Sequence, residues 1–194
     1  MERSELDDYL RADLYRYNAD QSKLYFVKAV FSAMPAFRYT YFLRYASVFS
    51  KKTIRGLIYR VILRHYSYKY GYQLSYKTKI GKGLFIFHRG PVVINEQAEL
   101  GDNCTLAHLV TIGQVNRGKR RGCPKIGNRV FIGAGAVIVG KIVIGDDVLI
   151  APNAYVNFDV PGNSIVVGNP ARCFPDMNQH TTTTEGYVNF IYPE

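Results

Sequence analysis

The feature that most constrains this chain is an aliphatic residue recurring every six positions: Ile80, Ile86, then Ile94, Leu100, Leu106, Ile112, then Ile126, Ile132, Ile138, Ile144, Ile150 and Val156. The rhythm is interrupted twice, by two extra residues between Ile86 and Ile94 and by eight between Ile112 and Ile126. A helix would repeat near 3.6 and a half-buried strand near two, so neither explains anchors at six. Glycine follows the anchor at 81, 101, 113, 127, 133 and 145. Four places after the anchor the residue is small or β-branched, as at Ala98, Cys104, Val110, Val130, Ala136, Val148, Ala154 and Val160. Such a repeat describes short strands that turn a corner every six residues, anchors inward and glycine relaxing the bends. Three hexads close one triangular coil, and coils stack at the strand spacing of about 4.8 Å around a narrow aliphatic core. The expected fold is mainly β, a parallel β-helix of about four coils.

The 194 residues leave room for one ordinary domain with an appended helical segment. The expected organisation is a helical segment over 1–72, a β-helix over 73–174 and a tail over 175–194. Cys104, Cys123 and Cys173 show no paired or metal-knuckle spacing, which favours a reducing compartment. The acidic start MERSELDDYL does not resemble a secretion signal. The apolar stretch from Leu24 to Phe37 is broken by Lys28 and falls short of the roughly 20 residues of a membrane span. A cytoplasmic protein is expected, with contact at the inner face of the membrane left open.

The net charge of +10 is unevenly distributed. Residues 1–20 hold six acids and three bases, whereas residues 21–95 hold fourteen Lys or Arg and no Asp or Glu. Thirteen of the sixteen Tyr fall before residue 77, among these bases. An anionic membrane surface or a polyanionic substrate would suit such a segment, and so would a helical piece whose bases are simply solvated. No nucleic-acid-binding motif accompanies the charge.

Indexing the hexads places two histidines in one column. His88 stands two residues after Ile86 and His108 two after Leu106, three hexads on, so the imidazoles should lie on one face of successive coils. Ala134 and Pro152 continue that column and leave a groove. A histidine titrating near neutrality suits the deprotonation of an alcohol. An ordinary surface position is the competing reading for His108.

The pattern resembles the hexapeptide-repeat acyltransferases, and RADLYRYNADQ, KIGKGLFIFHRGPVVI, TLAHLVTIGQ, PKIGNRVFIGAGAVIVGKIVIGDDV and VVGNPAR together resemble their serine acetyltransferase branch over roughly residues 5–174. The resemblance implies a left-handed β-helix, a homotrimer with sites between protomers, and acetyl-CoA as co-substrate without a metal. His88 matches the family's catalytic histidine; the serine enzymes have no histidine at the place of His108, which is a second catalytic or substrate-orienting candidate from its column alone. Thr111, Gly113, Ala134, Gly135, Pro152 and Arg172 are expected to line the CoA groove, and Phe87, Arg89, Glu96 and Arg117 to meet the acceptor. Glu96 and His108 are also candidates for orienting His88, as is a residue of an adjacent protomer. Cys123 has no histidine near it in sequence, which favours direct transfer over an acyl-cysteine intermediate.

Two departures from the serine enzymes concern the acceptor: Phe87 replaces an Asp before the histidine, and Gly122 and Cys123 replace an Arg-His pair before Pro124. A third concerns the histidine itself, since Gln73 to Tyr76 replace Asp-Ile-His-Pro, whose Asp orients the catalytic histidine in that family. Since serine carries opposite charges at its ends, the first two changes favour another acceptor. The basic loop Gln114–Pro124, with Arg117, Lys119, Arg120 and Arg121, would suit CoA phosphates or an acidic sugar, or is simply a solvated hairpin, and the texture KTKIGKGLFI…HRGP…NRGKRRGCP resembles surface-polysaccharide O-acetyltransferases. The expected function is therefore acetyl transfer to a sugar hydroxyl in surface or capsular polysaccharide synthesis. Serine O-acetylation and a non-catalytic β-helix scaffold are the alternatives.

Overall fold

The computed structural model describes residues 2–18, 29–31 and 34–175. Half of the Leu24–Phe37 stretch and the tail beyond Pro175 lie outside the described residues. Among the described residues three helices come first, α1 (Leu6–Tyr15), α2 (Pro35–Val48) and α3 (Ile54–Tyr70). Proline at the first turn opens α2, where its missing N–H costs nothing. Thr53 caps α3 by accepting the Gly56 N–H at 3.1 Å, and Gly71 closes it in the left-handed region at φ 79°.

Fifteen short strands follow within the described residues, from β1 (Tyr72–Leu74) to β15 (Arg172–Pro175). In order within each, they form three sheets: β1, β4 (Val92–Ile94), β7 (Thr111–Gly113), β10 (Val137–Val139) and β13 (Tyr155–Val156); β2 (Lys79–Ile80), β5 (Glu99–Leu100), β8 (Lys125–Ile126) and β11 (Val143–Ile144); and β3 (Phe85–Ile86), β6 (Thr105–Leu106), β9 (Phe131–Ile132), β12 (Leu149–Ile150), β14 (Ser164–Val167) and β15. Every pairing between these strands is parallel except the closing β14–β15 pair. The ladders join every third anchor. Ile94 faces Ile112 and Ile112 faces Ile138; Leu100 faces Ile126; Leu106 faces Ile132. All twelve anchors are buried, and so are the small residues four places after them.

The ladders run somewhat longer than about four coils. Leu74 pairs with Ile94 ahead of the first counted anchor, and Val160 and Val166 pair with Ile144 and Ile150 beyond the last. Val160 escapes the six-residue count because it comes four residues after Val156, across a shortened corner.

One corner explains the anchor-glycine pairs. Lys82 N donates to Asp102 Oδ1 at 2.8 Å, Asp102 N to Asn128 Oδ1 at 2.8 Å, and Asn128 N to Asp146 Oδ1 at 2.7 Å. Each acceptor reaches back from the next coil over the preceding glycine. A Cβ on Gly101 would land against Asn128 Oδ1 and, at 2.7 Å, against the Gly127 carbonyl carbon.

The helices close the open end of the first coil. Arg44 Nη1 donates to the Ile80 carbonyl at 2.7 Å and Nη2 to that of Gly81 at 2.6 Å, while Nε donates to Asp13 Oδ2 at 2.9 Å. Asp13 Oδ1 accepts the Leu84 N–H at 2.9 Å, and Tyr39 Oη donates to the Leu74 carbonyl at 3.1 Å. Arg16 donates to the Asn103 carbonyl and to Thr105 Oγ1, both at 2.7 Å. Asp13, Arg16, Tyr39 and Arg44 are all buried. Arg44, one of the fourteen bases of residues 21–95, is thus structural, which a uniformly solvated reading misses. Burial lowers Arg16 to about 10 and raises Tyr39 to about 12.

Candidate active site

The corner after β3, β6, β9 and β12 carries the histidine column. The His88 and His108 rings meet edge to face, with centroids 5.8 Å apart and planes at 74°. The backbone continues the column, Gly135 N donating to the His108 carbonyl at 3.0 Å and Asn153 N to that of Ala134 at 2.8 Å. Ala134 and Pro152 therefore extend the face with small side chains, as the hexad index anticipates.

His88 sits where the repeat is irregular. In the regular turns the residue three after the anchor takes positive φ, as at Asn103, Leu109, Arg129 and Asp147. After Ile86 that role passes to the second residue, His88, at φ 71°, because two residues are inserted before Ile94. Such a conformation is uncommon for a histidine and persists only where neighbours hold it. Here the Tyr72 hydroxyl donates to the His88 carbonyl at 3.0 Å, and the Phe87 ring lies 4.1 Å from the imidazole, centroid to centroid. The His88 side chain is exposed. The His108 Nδ1 atom is buried and has no hydrogen-bond partner among the described residues.

Beside His88 lies a hollow of about 270 Å³ between the corner and the helices. Tyr17, Pro35, Tyr72, Phe85, Phe87 and Arg89 are among its walls. Phe87 and Arg89 are exposed beside His88. Glu96 is placed differently: Ser75 Oγ donates to it at 2.8 Å and Lys77 Nζ at 3.1 Å, which hold its carboxyl below the usual range. Its oxygens are committed to that pair of residues. Arg117 stands on the exposed hairpin closed by the Val115–Gly122 bridge.

The candidate CoA positions divide between two surfaces. Ala134, Gly135 and Pro152 follow His108 along the corner, and Thr111 and Gly113 lie on β7 just after it. Arg172 is exposed on β15 in the closing hairpin. Burial raises the Cys123 thiol, which keeps it protonated and weakly nucleophilic. The tyrosines that frame His88 escape sequence reasoning, since Tyr17 and Tyr72 belong to a Tyr-rich run with no spacing that marks them out.

The bacterial transferase hexapeptide family (six repeats) matches at residues 123–157. Serine acetyltransferase from Brucella abortus strain S19 superposes with a TM-score of 0.72 at 31% identity, covering 90% of this chain and 70% of that one. The chain belongs to the serine acetyltransferase family. The same Brucella enzyme in complex with coenzyme A superposes with a TM-score of 0.72 at 29% identity, over 90% of this chain and 69% of that one. Serine acetyltransferase from Helicobacter pylori strain 26695 is 46% identical over 102 residues, which are 53% of this chain and 60% of that protein. The chain thus spans about three-fifths of the curated relative's length.

These matches overturn the expected carbohydrate acceptor, because the relatives are consistently serine acetyltransferases. The polysaccharide resemblance rests on three short stretches, whereas the Brucella superposition covers 90% of this chain.

Proposed function

We propose that this chain transfers the acetyl group of acetyl-CoA to the hydroxyl of L-serine. The observation that carries the reading is the His88–His108 pair, set edge to face over a groove of small side chains beside a hollow of small-metabolite size. His88 takes the hydroxyl proton as the serine oxygen attacks the thioester carbonyl carbon. A C–O bond forms, the tetrahedral adduct expels CoA as thiolate, and the thiolate recovers the proton from the imidazolium. His108 is a positioning neighbour, holding one face of the His88 ring. The groove continued by Ala134, Gly135 and Pro152, with Thr111 and Gly113 beside it, takes the extended pantetheine arm.

Serine needs two counter-charges, and Phe87 stands where the family carries an acid. In our reading the serine ammonium lies over the Phe87 ring, a cation–π contact worth about 0.5–2 kcal/mol, and Arg89 meets the carboxylate. Glu96, held by Ser75 and Lys77, has no part in it. A trimer with sites between protomers and a cytoplasmic setting accord with the family. The Brucella relative binds coenzyme A, which supports acetyl-CoA as the donor. Thiol release from acetyl-CoA on addition of L-serine tests the proposal. Release with L-serine and none with water alone is expected, whereas CoA binding without serine-dependent release would refute it.

A further inference from the structure

The outer face of α3 runs against the ordinary logic of a surface helix. Ile54, Leu57, Ile58, Val61 and Tyr68 are 78%, 53%, 50%, 68% and 77% exposed. At 3.6 residues per turn they fall in one arc of about 100°, opposite the buried Gly56 and Leu63. The helix therefore turns an apolar stripe to solvent, with the exposed His65 as the one polar side chain set within it. Arg55 and Lys69 border the outer stripe on one side and Arg64 on the other, all three exposed, with Lys51 and Lys52 just ahead of the helix. Arg64 lies over the Tyr68 ring at 5.7 Å. No acid occurs anywhere in residues 21–95.

We propose that this face docks the protein on an anionic lipid surface. An apolar stripe between two cationic borders matches the acyl-headgroup boundary, where the stripe enters the apolar edge and the bases stay among lipid phosphates. Charge complementarity selects this occupant over the same face of a second copy. Two such faces packed together would set Arg55, Arg64 and Lys69 against their own counterparts, with no acid on either helix to offset them. The contact is peripheral, since no described helix is long and apolar enough to cross a membrane. This inference does not depend on the acceptor.

Co-sedimentation of the intact chain with phosphatidylcholine vesicles, with and without about one-quarter phosphatidylglycerol, tests it. Partitioning onto the anionic vesicles should exceed that onto neutral ones by on the order of tenfold and should weaken as salt is raised. Ile58→Glu with Val61→Glu should lower it by on the order of tenfold, and Arg64→Gln by about fivefold. Exposed positions leave the fold intact, which unchanged thermal melts would verify. Equal partitioning onto neutral vesicles, no binding to either, or unaltered binding by the Ile58→Glu, Val61→Glu variant overturns the proposal. So does a variant whose only change is lost self-association in light scattering, because the face would then belong to a second copy.

Discussion

The helical segment and the β-helix are held together by opposite means. Inside the coils the anchors repeat one contact, aliphatic on aliphatic, in three ladders with every third anchor in register. The helices are joined to the coils by contacts that do not repeat: Asp13 with Arg44 and Leu84, Arg16 with Asn103 and Thr105, Tyr39 with Leu74. A repeated contact spreads its stabilisation over many equivalent residues. A junction of single contacts concentrates it, so one substitution there should cost as much as one in the deepest part of the coil. The proposed site lies where the two regimes meet, on the irregular corner of the first coil and against the helices.

The largest expected effect is catalytic. His88→Ala should lower serine-dependent thiol release by about 10²–10⁴-fold, with acetyl-CoA binding in calorimetry nearly unchanged. Next comes the junction: Asp13→Ala strands the buried Arg44 guanidinium and should cost about 3–5 kcal/mol in denaturant unfolding. Ile132→Ala, in the middle of a ladder, should cost about 2–5 kcal/mol. If Asp13→Ala proves nearly neutral while Ile132→Ala does not, the contrast between the regimes fails. Gly101→Ala should cost about 1–3 kcal/mol, because the added methyl meets Asn128 and the Gly127 backbone.

The smallest effect belongs to Glu99, paired with Lys79 at 3.0 Å and Lys125 at 3.3 Å on the outside of the coil. These partners lower its carboxyl from the ordinary 4.5. A lowered value stabilises the folded state above the ordinary value and loses that stabilisation as the pH falls through the lowered one. Glu99→Gln and the parent should therefore differ slightly at neutral pH in chemical denaturation and converge in acid.

Legibility follows the same division. The coil can be read from Ile80 to Val156 because a fixed period leaves few alternatives, and the histidine column follows by counting. The ends of the ladders are lost where the count breaks, as at Val160. Asp13, Arg16 and Arg44 look like any surface charges in the sequence, since their partners lie 31 to 89 positions away. Tyr17 and Tyr72 at the hollow are hidden for the same reason. The acceptor is misread from sequence because missing counter-charges are weighed one position at a time, whereas the relatives match over the whole arrangement.

A parallel β-helix has no natural end: each terminal coil offers unpaired amides and carbonyls to whatever strand arrives. At the first coil those groups are taken by Arg44, Asp13 and Tyr39. The side chains that fasten the helices thus also act as a stopper against fibre growth. A version of the chain beginning at Tyr72 would present a bare strand edge and should stack end to end into filaments.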